Sequence, residues 1–177
     1  TTGELWDRLS KIGAKLLIKT IEKIDSIKDK ENKSLEEIKK EVGAQKQGED
    51  YTVAPMLEKE IAKIDWNKSS NEIKNLVRGP IMGAYSFLDG KKIKFWKVET
   101  VSIEELENTF PEIKEYEGRM KKLEPGTIAF ADNKKGIFIK AGDEFVKVLE
   151  LQGENSKKMD YKNFLNGNKL QAGEIFE

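Results

Sequence analysis

The sequence contains no cysteine and no histidine. Without cysteine there is no disulfide and no thiolate site, a composition that fits a reducing compartment. Without histidine, His-based general acid–base catalysis, Ser-His-Asp triads and His-ligated metals are all excluded from these 177 residues. No apolar run approaches the roughly 20 residues needed to span a bilayer, and no signal peptide is visible. Net charge is missing as well, because 32 Lys and Arg cancel 32 Asp and Glu. Affinity for a polyanion therefore has to come from local clustering. There is no internal repeat and no low-complexity segment. The length suits one large domain or two small ones, and 37 % hydrophobic against 36 % charged residues implies an ionic surface around a core. The chain opens at Thr1, without Met, in what reads as a helix start; the expectation is a piece of a longer protein.

The charge is sorted by region. Residues 91–97, "KKIKFWK", carry four lysines and no acid, whereas residues 99–117 carry seven glutamates against the single Lys114. Leu5, Leu9, Ile12 and Leu16 recur at helical spacing, with Trp6, Gly13, Leu17, Ile21 and Ile24 broadening the stripe, so residues 3–25 are predicted as one amphipathic helix. Such a helix cannot bury its stripe alone. Ser34 and Glu37 have capping-box spacing ahead of a short helix through Leu35, Ile38 and Val42 that stops at Gly43, and "GAQKQGED" reads as a linker. Pro55 favours an extended approach to Trp66, an expected anchor. Ser69 and Glu72 cap another helix, which Gly79 and Pro80 end.

From there the period changes to two. "AYSFLDGKKIKFWKVE" is predicted as a β-hairpin around Asp89-Gly90, and residues 126–152 as three more strands turning near Asn133 and Gly142-Asp143. Ser102 and Glu105 cap a small helix that begins an acidic surface excursion, and "DYKNFLNG" gives a last helix bounded by Asp160 and Gly167. The predicted fold class is α+β: an N-terminal helical segment and linker, then a small antiparallel barrel of the oligonucleotide-binding type with about five strands and one short helix.

Few constellations carry chemistry. Paired carboxylates such as Glu36-Glu37 and Glu104-Glu105 sit on capped helices, where solvation leaves them without the sheltered pocket that acid–base work needs. "GPIMG" lacks the Lys-Ser/Thr of a phosphate-binding loop and reads as a helix stop followed by a turn. The lysines of "KKIKFWK" have two readings that the residues alone leave open. With Phe95-Trp96 they make a nucleic-acid surface; equally, edge strands carry lysine to block sheet-to-sheet aggregation, with Phe95 in the core. "ENSKKMDYK" adds Lys157, Lys158 and Lys162, either to that surface or to a solvated loop.

"TVAPMLEKEIAKIDW", "NEIKNLVRG", "GAYSFLDGKKIKFWK", "PGTI" and "LELQGENSKKMDYKNFLNGNKLQAGEIF", in this order, resemble the C-terminal half of the methionyl-tRNA formyltransferase family. The opening "TTGELWDRLSKIGAKLLIKTI" resembles the last helix of that family's catalytic domain. The resemblance implies residues 1–25 as that helix, 26–68 as linker and 69–177 as the tRNA-binding barrel. It implies a cytoplasmic parent enzyme that moves a formyl group from 10-formyltetrahydrofolate to the α-amino group of methionine on initiator tRNA. The family's Asn, His and Asp and its His-x-Ser-Leu-Leu-Pro signature belong to an N-terminal folate-binding domain. Neither histidine nor "SLLP" occurs here, so no catalytic, metal or cofactor-binding residue is assigned, no membrane partner is expected, and the implied partners are initiator methionyl-tRNA and the catalytic domain. Carried over by position, Arg78 matches the family's "RG", Lys91, Lys92 and Lys94 its basic hairpin strand, and Lys157 and Lys158 its "GKKM"-like turn, all as phosphate contacts. Gly79, Gly83, Pro125, Gly126 and Gly167 match as backbone requirements. The family reads "RG-Leu-Asn-Pro-x-x-GAY" where Gly79 here meets Pro80 directly, so a break in the chain is expected at that joint. Residues 26–50 are longer than the family's linker. The alternatives are the corresponding part of another folate-dependent formyltransferase or hydrolase, or a non-enzymatic interaction domain.

Overall fold

The computed structural model describes residues 1–54, 56, 58–111 and 117–177. Pro55, Leu57 and residues 112–116 of the acidic excursion lie outside the described residues. The chain divides into two units, Thr1–Met56 and Leu57–Glu177.

The first unit is helical. Helix α1, Thr2–Asp25, starts at the predicted capping box, with the Thr1 hydroxyl accepting from the Glu4 amide at 3.3 Å. Leu5, Trp6, Leu9, Ile12, Leu16 and Ile21 are exposed along it. Helix α2, Leu35–Val42, is capped by Ser34 and Glu37 and ends at Gly43, whose φ of 79° is the left-handed geometry that glycine supplies cheaply.

The second unit carries the core. Helix α3, Ser70–Arg78, starts at Ser69, whose hydroxyl accepts from the Glu72 amide while the Glu72 carboxylate accepts from the Ser69 amide at 3.0 Å. Strands β1, Ala84–Leu88, and β2, Lys91–Val101, join at Asp89 and Gly90, with φ of 49° and 73°, the paired positive angles of a tight hairpin turn. After helices α4, Ile103–Thr109, and α5, Glu117–Met120, come β3, Ile128–Asp132, β4, Gly136–Lys140, β5, Phe145–Gln152, the two-residue β6, Met159–Asp160, and α6, Tyr161–Gly167. All pairs are antiparallel, in the order β1-β2-β5-β4-β3, with β6 beside β5. The composition is α+β as expected, with six strands among the described residues where about five were expected; β6 escaped the sequence because its two residues carry no alternation.

The sheet is open, so strand pairing does not close the expected OB-like barrel: β1 and β3 are its two edges and form no ladder with each other among the described residues. Residues 173–177 bridge those edges instead. The Glu177 amide donates to Phe87 at 2.9 Å and the Phe87 amide donates back at 3.2 Å. On the other side the Phe176 amide donates to Gly126 at 2.9 Å and the Ile128 amide to Glu174 at 2.8 Å. At the Gly79-Pro80 joint the Gly79 amide closes α3 on Leu76 and the Gly83 amide turns back to Pro80, both at 3.1 Å.

Apolar alternation dictates the core. Ile93, Phe95 and Val98 of β2 face Ile137, Ile139, Val146, Val148 and Leu151, and Ile73 and Val77 of α3 lie in the same cluster. Each such side chain contributes about 1.5–3 kcal/mol over an exposed one. Trp66 is the anchor the sequence suggested: it is buried edge-on to Phe95 at 5.6 Å and near Phe176 at 5.8 Å, and its indole donates to Ser86 Oγ at 3.0 Å. A second cluster gathers Val101, Leu106, Phe110, Phe138 and Phe145. Among the described residues no helix is long and apolar enough to cross a membrane.

Candidate nucleic-acid interface

Alternation that sends Ile93 and Phe95 inward sends Lys92, Lys94 and Trp96 to the solvent face of β2. On β1 the same period leaves Tyr85 and Phe87 half-buried on that face, while Ala84, Ser86 and Leu88 go in. The registers Tyr85–Lys94 and Phe87–Lys92 place aromatic and basic residues side by side. Lys92 Nζ stands 3.5 Å over the Tyr85 ring, Lys63 Nζ 5.7 Å over Phe87, and Lys94 and Lys158 lie 6.0 and 5.5 Å from the Trp96 ring. Such contacts hold the ammonium groups above ring faces without neutralising them.

A β-bulge lies at Trp96. Between Phe95 and Val98 the β2–β5 register slips twice, so that Phe95 faces Leu151, Lys97 faces Glu150 and Val98 faces Val148, leaving Trp96 without a partner on β5. Alternation alone puts Trp96 on the outer face; the slips leave Lys97 exposed beside it and return Val98 to the core side. The Trp96 indole donates to Gln152 Oε1 at 3.1 Å, and the Gln152 amide donates to the Ser156 carbonyl at 2.7 Å. Gly83, at φ 77°, lies beneath the ring: a β-carbon there would stand 3.2 Å from the indole.

Of the six residues predicted from sequence, three come together here: Lys92, Lys94 and Lys158. Lys158 is ion-paired with Glu150 at 2.5 Å, whereas Lys92 and Lys94 have no ion pair among the described residues. Lys91 is exposed at the hairpin tip and Lys157 is exposed beside Lys158. Arg78 is exposed at the end of α3, and among the described residues no ion pair or cation–ring contact ties it to this face. Sequence reasoning missed Lys63, which reaches the face through an isolated parallel bridge to Tyr85, a tertiary contact with no local signal. It also missed Tyr85 and Phe87, which the period of two in "AYSFL" reveals.

The edge-protection reading fails at Lys94, which pairs with both Tyr85 on β1 and Gln152 on β5. An interior position presents no open edge to guard. Away from this face, two charged groups pin turns. Burial pushes the Lys140 ammonium below its ordinary range, against the pull of Glu144 and Asp143, and it donates to the Ala141 and Asp143 carbonyls at 2.8 and 2.7 Å. Burial acts to raise Asp143, but amide donors from Ser70 and Glu144 outweigh it and hold the carboxyl below its usual value.

Comparison with known proteins follows the same lines. Residues 56–169 match the family described as formyl transferase, C-terminal domain. The methionyl-tRNA formyltransferase of Carboxydothermus hydrogenoformans is 35 % identical over 182 residues, covering 100 % of this chain and 49 % of the relative. That of Halothermothrix orenii is 34 % identical over 177 residues, covering 98 % and 48 %. The chain thus spans about half the length of the curated relatives it matches. A crystal structure of HypX from Aquifex aeolicus in complex with tetrahydrofolic acid is 17 % identical, with a TM-score of 0.44 over 77 % of this chain and 26 % of that one, too slight a likeness to bear on the argument. The family match across the compact unit and the alignment of the whole chain with these relatives lead to one conclusion: this chain belongs to the formyl transferase family, as its C-terminal domain.

Proposed function

We infer that the chain is the tRNA-holding part of a methionyl-tRNA formyltransferase, an enzyme that formylates the α-amino group of methionine on initiator tRNA for translation initiation in the cytoplasm. The observation that carries this reading is the outward face of β1 and β2, where Lys63, Lys92, Lys94 and Lys158 surround three aromatic rings on a rigid sheet. Ammonium groups on flexible stems bind phosphates as point charges and fix the position of the RNA without reading its sequence. Lys91, Lys157 and Arg78 extend the contact at the rim.

On this reading the formyl group comes from 10-formyltetrahydrofolate bound by an N-terminal catalytic domain, because the histidine-dependent step has no residue to carry it in a chain without histidine. Residues 1–25 are then the last helix of that domain, 26–68 the linker and 69–177 the tRNA-binding domain, whose bridged sheet is an OB-like barrel with the segment 173–177 as its closing piece.

The test is filter binding of the 177-residue chain to initiator tRNA from 50 to 200 mM salt. Binding that weakens steeply with salt supports the reading. Salt-independent binding, or none, overturns it and returns the lysines to ordinary surface charge.

A further inference from the structure

We propose that Trp96 is a stacking platform for one unpaired nucleotide, with Lys94 and Lys158 taking its phosphate. The inference deepens the tRNA reading and rests on it. Stacking needs an aromatic ring that is held still, has one free face and lies near positive charge. Tyr85 fails the second condition, because Lys92 caps it at 3.5 Å and Phe87 meets it edge-on at 5.7 Å. Trp96 is held still and lies near positive charge, and the ammonium groups over its ring stand back at 5.5 and 6.0 Å, against 3.5 Å at Tyr85. Strand alternation puts Trp96 on the outer face, the bond to Gln152 fixes the plane of the indole, and the Gly83 backbone lies against one side of the ring. Ammonium groups stand 6.0 and 5.5 Å from its centroid, near enough to reach a phosphate attached to a base lying on the ring. A ring pre-set in this way loses little side-chain freedom on binding.

The ligand chemistry follows from the geometry. A base inside a duplex presents its edges, with both faces already occupied by its neighbours. Only an unpaired base offers a face to the indole. The site therefore takes a nucleotide from a loop, a bulge or a single-stranded end, and it tolerates any base because each has a π-face.

The experiment compares wild type, Trp96→Leu and Trp96→Phe in binding a short single-stranded RNA, a duplex RNA of the same length and initiator tRNA, across the salt series. Trp96→Leu is expected to weaken single-strand binding about 5- to 150-fold at every salt concentration, leaving the salt slope unchanged. Phe is expected to restore most of the loss, and the duplex to bind both variants as it binds wild type. A second readout guards against misfolding: in a Trp6→Phe background, single-stranded RNA should quench a fluorescence component that Trp96→Phe removes. Equal binding by wild type and Trp96→Leu, an equal loss for duplex and single strand, or no quenching overturns the proposal. Where tRNA still binds with steep salt dependence in those outcomes, stacking alone is wrong; where nothing binds tRNA in a salt-sensitive way, the functional reading itself falls.

Discussion

Replacing Lys92 and Lys94 together by glutamine removes two of the four ammonium groups on the β1–β2 face and adds no repulsive charge. Each phosphate neutralised contributes about −0.7 to −0.9 to the slope of log affinity against log salt. The four contacts of the face by themselves contribute about −2.8 to −3.6 to the slope, so raising salt fourfold weakens that part of wild-type binding about 50- to 150-fold. Losing two of them makes the slope shallower by about 1.4 to 1.8, so the same rise in salt costs the variant about 7- to 12-fold less than it costs wild type. The fold should tolerate the change. Both side chains sit half-exposed on the solvent face, and the loss of the ammonium over Tyr85 costs about 0.5–1 kcal/mol. Filter binding to initiator tRNA at several salt concentrations measures the slopes, and thermal melting confirms that the variant is folded. A folded double variant with the wild-type slope refutes the assignment, because it means the phosphates lie elsewhere.

Three further outcomes follow from the same structure. Glu150→Gln frees Lys158 from its ion pair and removes an anion beside Trp96, so RNA affinity should rise about 2- to 5-fold at low salt and converge on wild type at high salt; an unchanged or lower low-salt affinity speaks against Lys158 as a contact. Gly126→Ala places a β-carbon 2.4 Å from the Phe176 carbonyl at a φ of 91° and should cost about 2–4 kcal/mol in urea unfolding, whereas Gly90→Ala, with a φ of 73° and open space around it, should cost about 1 kcal/mol. Asp143→Asn weakens the carboxylate's bonds to the Ser70 and Glu144 amides, at 2.7 and 2.6 Å. Because the folded carboxyl lies below its ordinary value, its contribution is fully present above about pH 4 and lost as pH falls through the folded value. The variant should be about 1 kcal/mol less stable at neutral pH and draw level with wild type in strong acid, as read from urea midpoints between about pH 2 and 7.

Elements fixed by contacts three residues apart were legible in the sequence. The capping boxes Ser34/Glu37, Ser69/Glu72 and Ser102/Glu105 all form, and the helices start where they predict. Asp89-Gly90 turns the hairpin because two adjacent positive φ angles demand residues that tolerate them. What escaped depends on partners far away in the chain. The bridging of β1 and β3 by residues 173–177 involves Phe87, Gly126 and Ile128, and no local pattern in "AGEIF" distinguishes it from a tail. Lys63 joins the basic face through Tyr85, again across the fold. The lysines were legible as a cluster, yet their freedom from edge duty was not, because only the sheet order reveals that Lys94 is interior.

The bulge at Trp96 is the clearest case of a structural feature hidden from periodicity. A regular strand would bury Lys97 on the side of Phe95 or break the alternation; two register slips let Trp96 and Lys97 both reach solvent while Val98 resumes the core side. Beneath this strand the Phe95 ring meets Trp66 at 5.6 Å and Phe176 at 5.4 Å. The segment that bridges the sheet edges therefore supports the strand that carries the lysines and the platform. A site carried on such a strand holds its geometry better than one on a loop. It follows that stability and binding separate by face: changes at Gly126 act through the buried side of β2, and changes at Lys92, Lys94 and Trp96 act through the exposed side. A folded Gly126→Ala chain that bound tRNA with a reduced salt slope would contradict this division, because that substitution removes no charge.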